Sequence, residues 1–159
     1  MDADSQQLLA RLLRTQRLAA LGTLRDSAPS VSMIGFSSFH DLSSVFILAS
    51  RLAYHTQDIL KDPRCSLMIA ETDRGEHEPQ NLARVTLRGE ATPVHEEDPQ
   101  YDEARKCFLK KFPESGFLFE LGDFSLYRIT PKTGRFVAGV GRTFNISVED
   151  LRRVSTLTD

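Results

Sequence analysis

The sequence predicts a mainly β fold with added helices: an antiparallel barrel formed by one domain over residues 1–159. Three observations lead there. Strand-like runs follow one another along the chain instead of alternating regularly with helices, which disfavours a doubly wound parallel sheet. One of those runs, Val45 to Ala49, is apolar at every position, the pattern of a strand covered on both faces. Helical periodicity is confined to the front of the chain, two insertions and a short terminal segment.

Residues 1–20 form an amphipathic helix. Leu8, Leu9, Leu12 and Leu13 recur at helical spacing with Arg11, Arg14 and Gln16 opposite, and Ser5 or Asp4 is placed to cap it. Gly22 marks a change of period. Three strand-like runs follow, LGTLR, PSVSMIGFSSF and SVFILAS, separated by the turn-forming segments RDSAPS and HDLSS. YHTQDILK returns to helix and stops at Asp62-Pro63, because a residue before proline is pushed out of the helical region.

CSLMIAE is a strand with Cys65, Leu67 and Ile69 on one face, and the polar stretch from Thr72 to Gln80 is an exposed loop. In the long strand NLARVTLRGEATPV, Val85, Leu87 and Ala91 face away from Arg84, Thr86 and Arg88. Asp98-Pro99 opens a further helix as cap and first helical residue; Tyr101, Ala104, Phe108 and Phe112 form its apolar stripe, and Pro113 ends it. FSLYRITP and GRFVAG read as a final hairpin turning at Pro131-Lys132-Thr133-Gly134. Ser147 and Asp150 have the spacing of a capping box opening a short C-terminal helix within 145–159.

The bulk properties narrow the function classes. An apolar fraction of 40% is enough for a hydrophobic core without a disulfide or metal staple. The 20 basic and 22 acidic residues are intermixed, so the basic face that phosphate neutralisation demands of a nucleic-acid binder is missing. Cys65 and Cys107 have no CxxC spacing and read as reduced thiols. The N-terminus has no basic-then-apolar leader pattern, and the longest apolar run is far too short to span a bilayer. A cytoplasmic protein without nucleic-acid or membrane partners and without a metal site is expected.

The segment from Ala49 to Thr56 joins the buried strand to a helix start, where free backbone N–H groups, the Ser50 and Thr56 hydroxyls and the Arg51 guanidinium would suit a phosphate monoester. His55 and Thr56 read equally as helix caps, and Arg51 as a solvated arginine. Arg84 and Arg88 share a strand face that either meets an anionic ligand or is simply solvated. Gly35, beside Ser32 and Ile34, permits close approach of a planar ring or marks a bulge. Ala138-Gly-Val-Gly-Arg142 is a loop that closes over a ligand or a plain connection. No GxSxG elbow, HExxH helix or other catalytic constellation is present. Any enzymatic chemistry would therefore fall to a cofactor.

The order of motifs resembles the pyridoxamine 5′-phosphate oxidase-like FMN-binding split-barrel family, in its haem-utilisation-related branch. The segments that carry the resemblance are ALGTLRDSAPSVSMIGFSSF, VFILASRLAYHTQDILKDPRCSLMIAE, NLARVTLRGEATPV and FLFELGDFSLYRITPKTGRFVAGVGRTF. The strongest match runs from Ser50 to Arg64.

The resemblance implies a six-stranded antiparallel split barrel that forms a homodimer with FMN at the subunit interface. Ser32, Met33 and Ile34 would lie along the flavin ring. Ala49, Ser50, Arg51, His55 and Thr56 would hold the ring edge and phosphate, Arg84 would arrive from a neighbouring strand, and Arg142 from the partner subunit. The chain departs from the vitamin B6 oxidases themselves: Leu52 follows Arg51, and no histidine lies beyond His95. The expectation is therefore an FMN-binding oxidoreductase acting on an unknown small molecule. Its alternatives are a haem-binding, haem-utilisation protein with His55 or His77 on the iron, and a non-enzymatic ligand-sensing domain.

Overall fold

The computed structural model describes residues 1–157. In chain order the elements are α1 (Ala3–Thr15), β1 (Leu18–Arg25), β2 (Ala28–Gly35), β3 (Ser37–Ser38), β4 (Val45–Ser50), α2 (Tyr54–Lys61), β5 (Arg64–Ala70), β6 (Arg84–Val94), α3 (Tyr101–Lys111), β7 (Phe124–Gly139), β8 (Arg142–Ile146) and α4 (Val148–Ser155). The strands form one antiparallel sheet in the order β2-β1-β5-β6-β7-β4-β3, with β8 added on β7. Its two ends, β2 and β3, are separated only by Phe36, so the chain itself bridges the split of the barrel.

Eight strands replace the six expected, for two local reasons. Phe36 breaks PSVSMIGFSSF into β2 and β3 by burying its ring completely, while its N–H donates to the Arg17 carbonyl. Arg142–Ile146 adds the second change by pairing with the far half of β7.

Alternation fills the barrel. Leu21, Leu67, Ile69, Val85 and Leu87 point inward, and Leu9, Leu12 and Leu13 of α1 and Leu151 and Val154 of α4 close over them. β4 is buried on both faces, as its unbroken apolar run predicts. Val45, Ile47 and Ala49 face the barrel. Phe46 and Leu48 lie under α3, in a second cluster with Phe39, Val94, Leu126, Ala104, Phe108 and Phe112.

Three expectations are corrected. The sequence Pro131 to Gly134 is not a hairpin turn, since β7 runs unbroken through it. Instead the register with β6 shifts between Arg88 and Gly89, leaving Lys132 as the extra residue of a bulge. Gly89 makes this possible: a Cβ there would stand 2.0 Å from the Thr130 carbonyl oxygen. Pro131 lies between the stretches of β7 that pair with β4 and with β8, so its missing N–H breaks no ladder on that side. The turn that reverses the chain falls at Val140-Gly141, where Gly141 takes φ 78°.

The second correction concerns α1, which ends at Thr15, so that Leu18 to Ala20 belong to β1, and whose cap is Asp2: its carboxylate accepts from the Ser5 N–H at 3.0 Å and the Ser5 hydroxyl at 2.9 Å. The third concerns α3, which starts two residues beyond Pro99. Asp98 instead folds a turn ahead of it, accepting from the Gln100 and Tyr101 N–H groups. The capping box of α4 forms as expected, with Ser147 and Asp150 satisfying each other's N–H groups.

The outer face of β2, β1, β5 and β6 has a different character. Leu18, Val31, Met33 and Met68 stand 54%, 71%, 72% and 40% exposed. The register sets Met33, Ala20, Met68, Thr86 and Arg135 in one row across the strands, and Val31, Gly22, Ser66, Arg88 and Thr133 in the next. An apolar end therefore grades into a cationic one.

Candidate functional site

Ser50 ends β4, and the chain turns through Arg51 and Leu52 before α2 begins. The Ser50 hydroxyl donates to Asp123 Oδ2 at 2.5 Å and accepts from the Leu52 N–H at 3.1 Å. Arg51 is exposed; its N–H donates to the Asp123 carbonyl and its Nη2 to the Gly122 carbonyl. Ala49 is buried in the barrel. The N-cap of α2 is Ala53, without a side-chain cap, so neither His55 nor Thr56 serves as one. A carboxylate therefore stands beside Ser50, where the sequence suggested only phosphate-binding groups.

One helical turn further on lies a polar cluster that the sequence concealed. Asp58, almost fully buried, accepts from the Thr23 hydroxyl at 2.8 Å and pairs with Arg25 Nη2 at 2.9 Å. The Arg25 guanidinium lies 4.0 Å from the Tyr54 ring centroid and also donates to the Tyr54 carbonyl. His55, on the same turn, holds its Nδ1 3.2 Å from the Ser32 hydroxyl of β2. Burial lowers the His55 pKa below the usual histidine value, with Asp58 pulling the other way. Thr56 is wholly buried, and its hydroxyl has no hydrogen-bond partner.

Of the residues expected to share a site, Ser32 and His55 are in contact, and Ser50, Arg51 and Thr56 lie on the same strand-to-helix passage. Ile34 packs against the barrel core, whereas Met33 points outward. Arg84 is held by the Gln80 and Leu82 carbonyls at the start of β6. Arg142 is tied to the front of α1, donating to Asp2 at 2.9 Å and to Ser5 at 2.7 Å. Thr23, Arg25, Asp58 and Asp123 were not legible as site residues.

On the outer face, a groove of about 660 Å³ runs past Gly22, Val31, Ser66, Arg88 and Thr133. A shallower one is lined by Leu18, Ala20, Val31, Met33, Met68 and Ala70. Small and apolar residues line one end, and Arg64, Arg88 and the paired Lys132 and Glu90 the other. Such a surface suits a flat, largely apolar molecule that carries carboxylates.

A family model described as pyridoxamine 5′-phosphate oxidase matches residues 5–138. The chain belongs to that family. Within it, the curated relatives are haem proteins. The chain is 40% identical over 116 residues to the chloroplastic heme oxygenase HOZ of Arabidopsis thaliana, covering 73% of this chain and 34% of that one. It is 27% identical over 124 residues to the heme oxygenase HutZ of Vibrio cholerae, covering 77% of this chain and 69% of HutZ. The chain thus spans about a third of HOZ. A solved heme-binding protein from Mycobacterium smegmatis superposes with TM-score 0.83 at 23% identity, over 96% of this chain and 61% of that one, a likeness of fold. The family and its haem-utilisation branch stand as the sequence suggested, as does the split-barrel class. No helix among the described residues is long and apolar enough to cross a membrane.

Proposed function

We propose that this chain binds haem, as a homodimer, and serves in its breakdown. The observation that carries this reading is the outer sheet face, whose exposed Leu18, Val31, Met33 and Met68 grade into Arg88 and Arg135. Haem has the same two-sided chemistry, a broad apolar ring with carboxylates at one edge. The kinship with two proteins named as heme oxygenases supports it.

The residues present fit the group in kind. The apolar face would take the macrocycle and the arginines its carboxylates. Bound haem supplies a redox-active metal. This chain's own residues supply an apolar surface that excludes water and cations that fix orientation. The same face is where a second copy would pack, since four large apolar side chains exposed together mark an interaction surface. The free thiols of Cys65 and Cys107 suit a reducing, cytoplasmic setting.

A flavin reading rests on the family match and on the strand-to-helix passage at Ser50–Thr56. The Asp123 carboxylate on Ser50 opposes a phosphate there, which ranks this reading second. Parallel titrations of the purified chain with ferric haem and with FMN decide between them. The proposal expects a saturable Soret band at one haem per chain and no comparable quenching of flavin fluorescence. Tight FMN binding without haem binding would overturn it.

A further inference from the structure

The arginines of β5, β6 and β7 differ in how far their guanidinium groups are already engaged. Arg64 gives Nε and Nη2 to Asp62, and Arg135 gives Nη1 to Asn145 Oδ1 at 2.7 Å. Arg84 is turned back onto the Gln80 and Leu82 carbonyls. Arg88 is exposed, and among the described residues none bonds or pairs with it. Glu90, the carboxylate lining the same groove, is taken by Lys132 at 2.6 Å.

The register defines what surrounds Arg88. Ser66 of β5 lies directly across from it on one side and Thr133 of β7 on the other, so two hydroxyls flank the guanidinium on one face. Beyond Ser66 the row continues to Gly22 and Val31. Gly22 carries no side chain, which keeps the groove open between Arg88 and the apolar end. Three strand spacings, about 14 Å, separate Arg88 from Val31.

An unengaged guanidinium between two hydroxyls suits a carboxylate. Its planar fork offers parallel N–H donors, and the hydroxyls can donate to the lone pairs that remain. We infer that Arg88 is the carboxylate anchor of this face, binding one carboxylate of the ligand with Ser66 and Thr133 beside it. Arg88 thereby sets which way the ligand lies: the carboxylate edge of the ring points toward β6 and β7, and the opposite edge toward β2. The inference rests on the haem reading above and names which arginine of the face selects the ligand. Where a second copy covers the face, the same carboxylate supplies the partner that a buried guanidinium requires.

The test titrates ferric haem and its dimethyl ester, which keeps ring and iron but has no carboxylate, into wild type, Arg88→Ala, Arg135→Ala and Arg74→Ala. Both ligands report binding optically without any turnover, and thermal melting shows that each variant folds. Arg74 lies in the loop after β5, in a different groove beside α1, and controls for the loss of one charge. Wild type is expected to prefer haem over the ester by about tenfold, the scale of one charge-assisted hydrogen bond. Arg88→Ala should weaken haem to the level of the ester and leave the affinity for the ester unchanged, while Arg74→Ala keeps the full preference. Three results would overturn the inference and leave the haem reading standing: no preference in wild type, an undiminished preference in folded Arg88→Ala, or a preference lost only in Arg135→Ala. Failure of wild type to bind either porphyrin would overturn the haem reading itself.

Discussion

The outer surface of the barrel is built in two halves from the same alternating strands, and the halves end differently. Over β4 and the first part of β7, outward residues are Phe46, Leu48 and Leu126, and α3 lies on them with Ala104, Phe108 and Phe112. Phe108 and Phe112 stack at 4.9 Å, and Phe39 meets Phe46 edge-on at 5.8 Å. Over β2, β1 and β5, the outward residues include Leu18, Val31, Met33 and Met68, and Val31 and Met33 stand more than two-thirds exposed. One half carries its own cover within the chain. The other is left bare by the chain.

The two halves should respond oppositely to substitution. Phe108→Ala removes a ring from the covered half and is expected to cost about 3–5 kcal/mol in chemical denaturation, the range for deleting a buried aromatic side chain. At the seam between the halves, Gly89→Ala would push a Cβ into the Thr130 carbonyl, a backbone group that cannot rotate aside. A loss of about 1–3 kcal/mol is expected, as for overpacking elsewhere, or a shifted β6–β7 register visible in amide exchange. No loss at all would mean that the bulge is not held as described.

Lys111 sharpens the contrast further. Its amine is buried against the Phe36 ring at 3.9 Å without a hydrogen-bond partner. Burial first, and Arg17 second, lower its pKa from 10.5 to about 8. The folded chain therefore disfavours the protonated form. Between pH 8 and 10.5 the unfolded chain binds more protons there, so stability contributed by this group rises with pH across that window and is at its least below it. Lys111→Met should flatten the rise and raise stability at neutral pH, as read from denaturation midpoints at several pH values. On the bare half, Met33→Asp should change the stability of the single chain by only about 0.5 kcal/mol, as surface substitutions do, while abolishing association.

Much of this architecture was legible because it follows from periodicity. The unbroken run Val45–Ala49 announced two covers, and the Tyr101, Ala104, Phe108 and Phe112 stripe supplied one of them. The Ser147 and Asp150 spacing announced a helix start that forms as read. What misled was local chemistry with two solutions. Pro131-Lys132-Thr133-Gly134 has the composition of a turn, and only Gly89 on the neighbouring strand makes it a bulge. The candidate site was half legible. Ser32 and His55 stood out as residue types, but the partners that fix them, Thr23, Arg25 and Asp58, come together from β1 and α2 through packing that no spacing records.

The central claim is that the exposed face of β2, β1 and β5 is an interface. The molar mass of the full chain in solution, measured by light scattering for wild type and for Met33→Asp, tests it most directly. The account predicts twice the 17.9 kDa of one chain for wild type and 17.9 kDa for a folded Met33→Asp. A wild type that stays at one chain mass, or a Met33→Asp that still pairs, would contradict it.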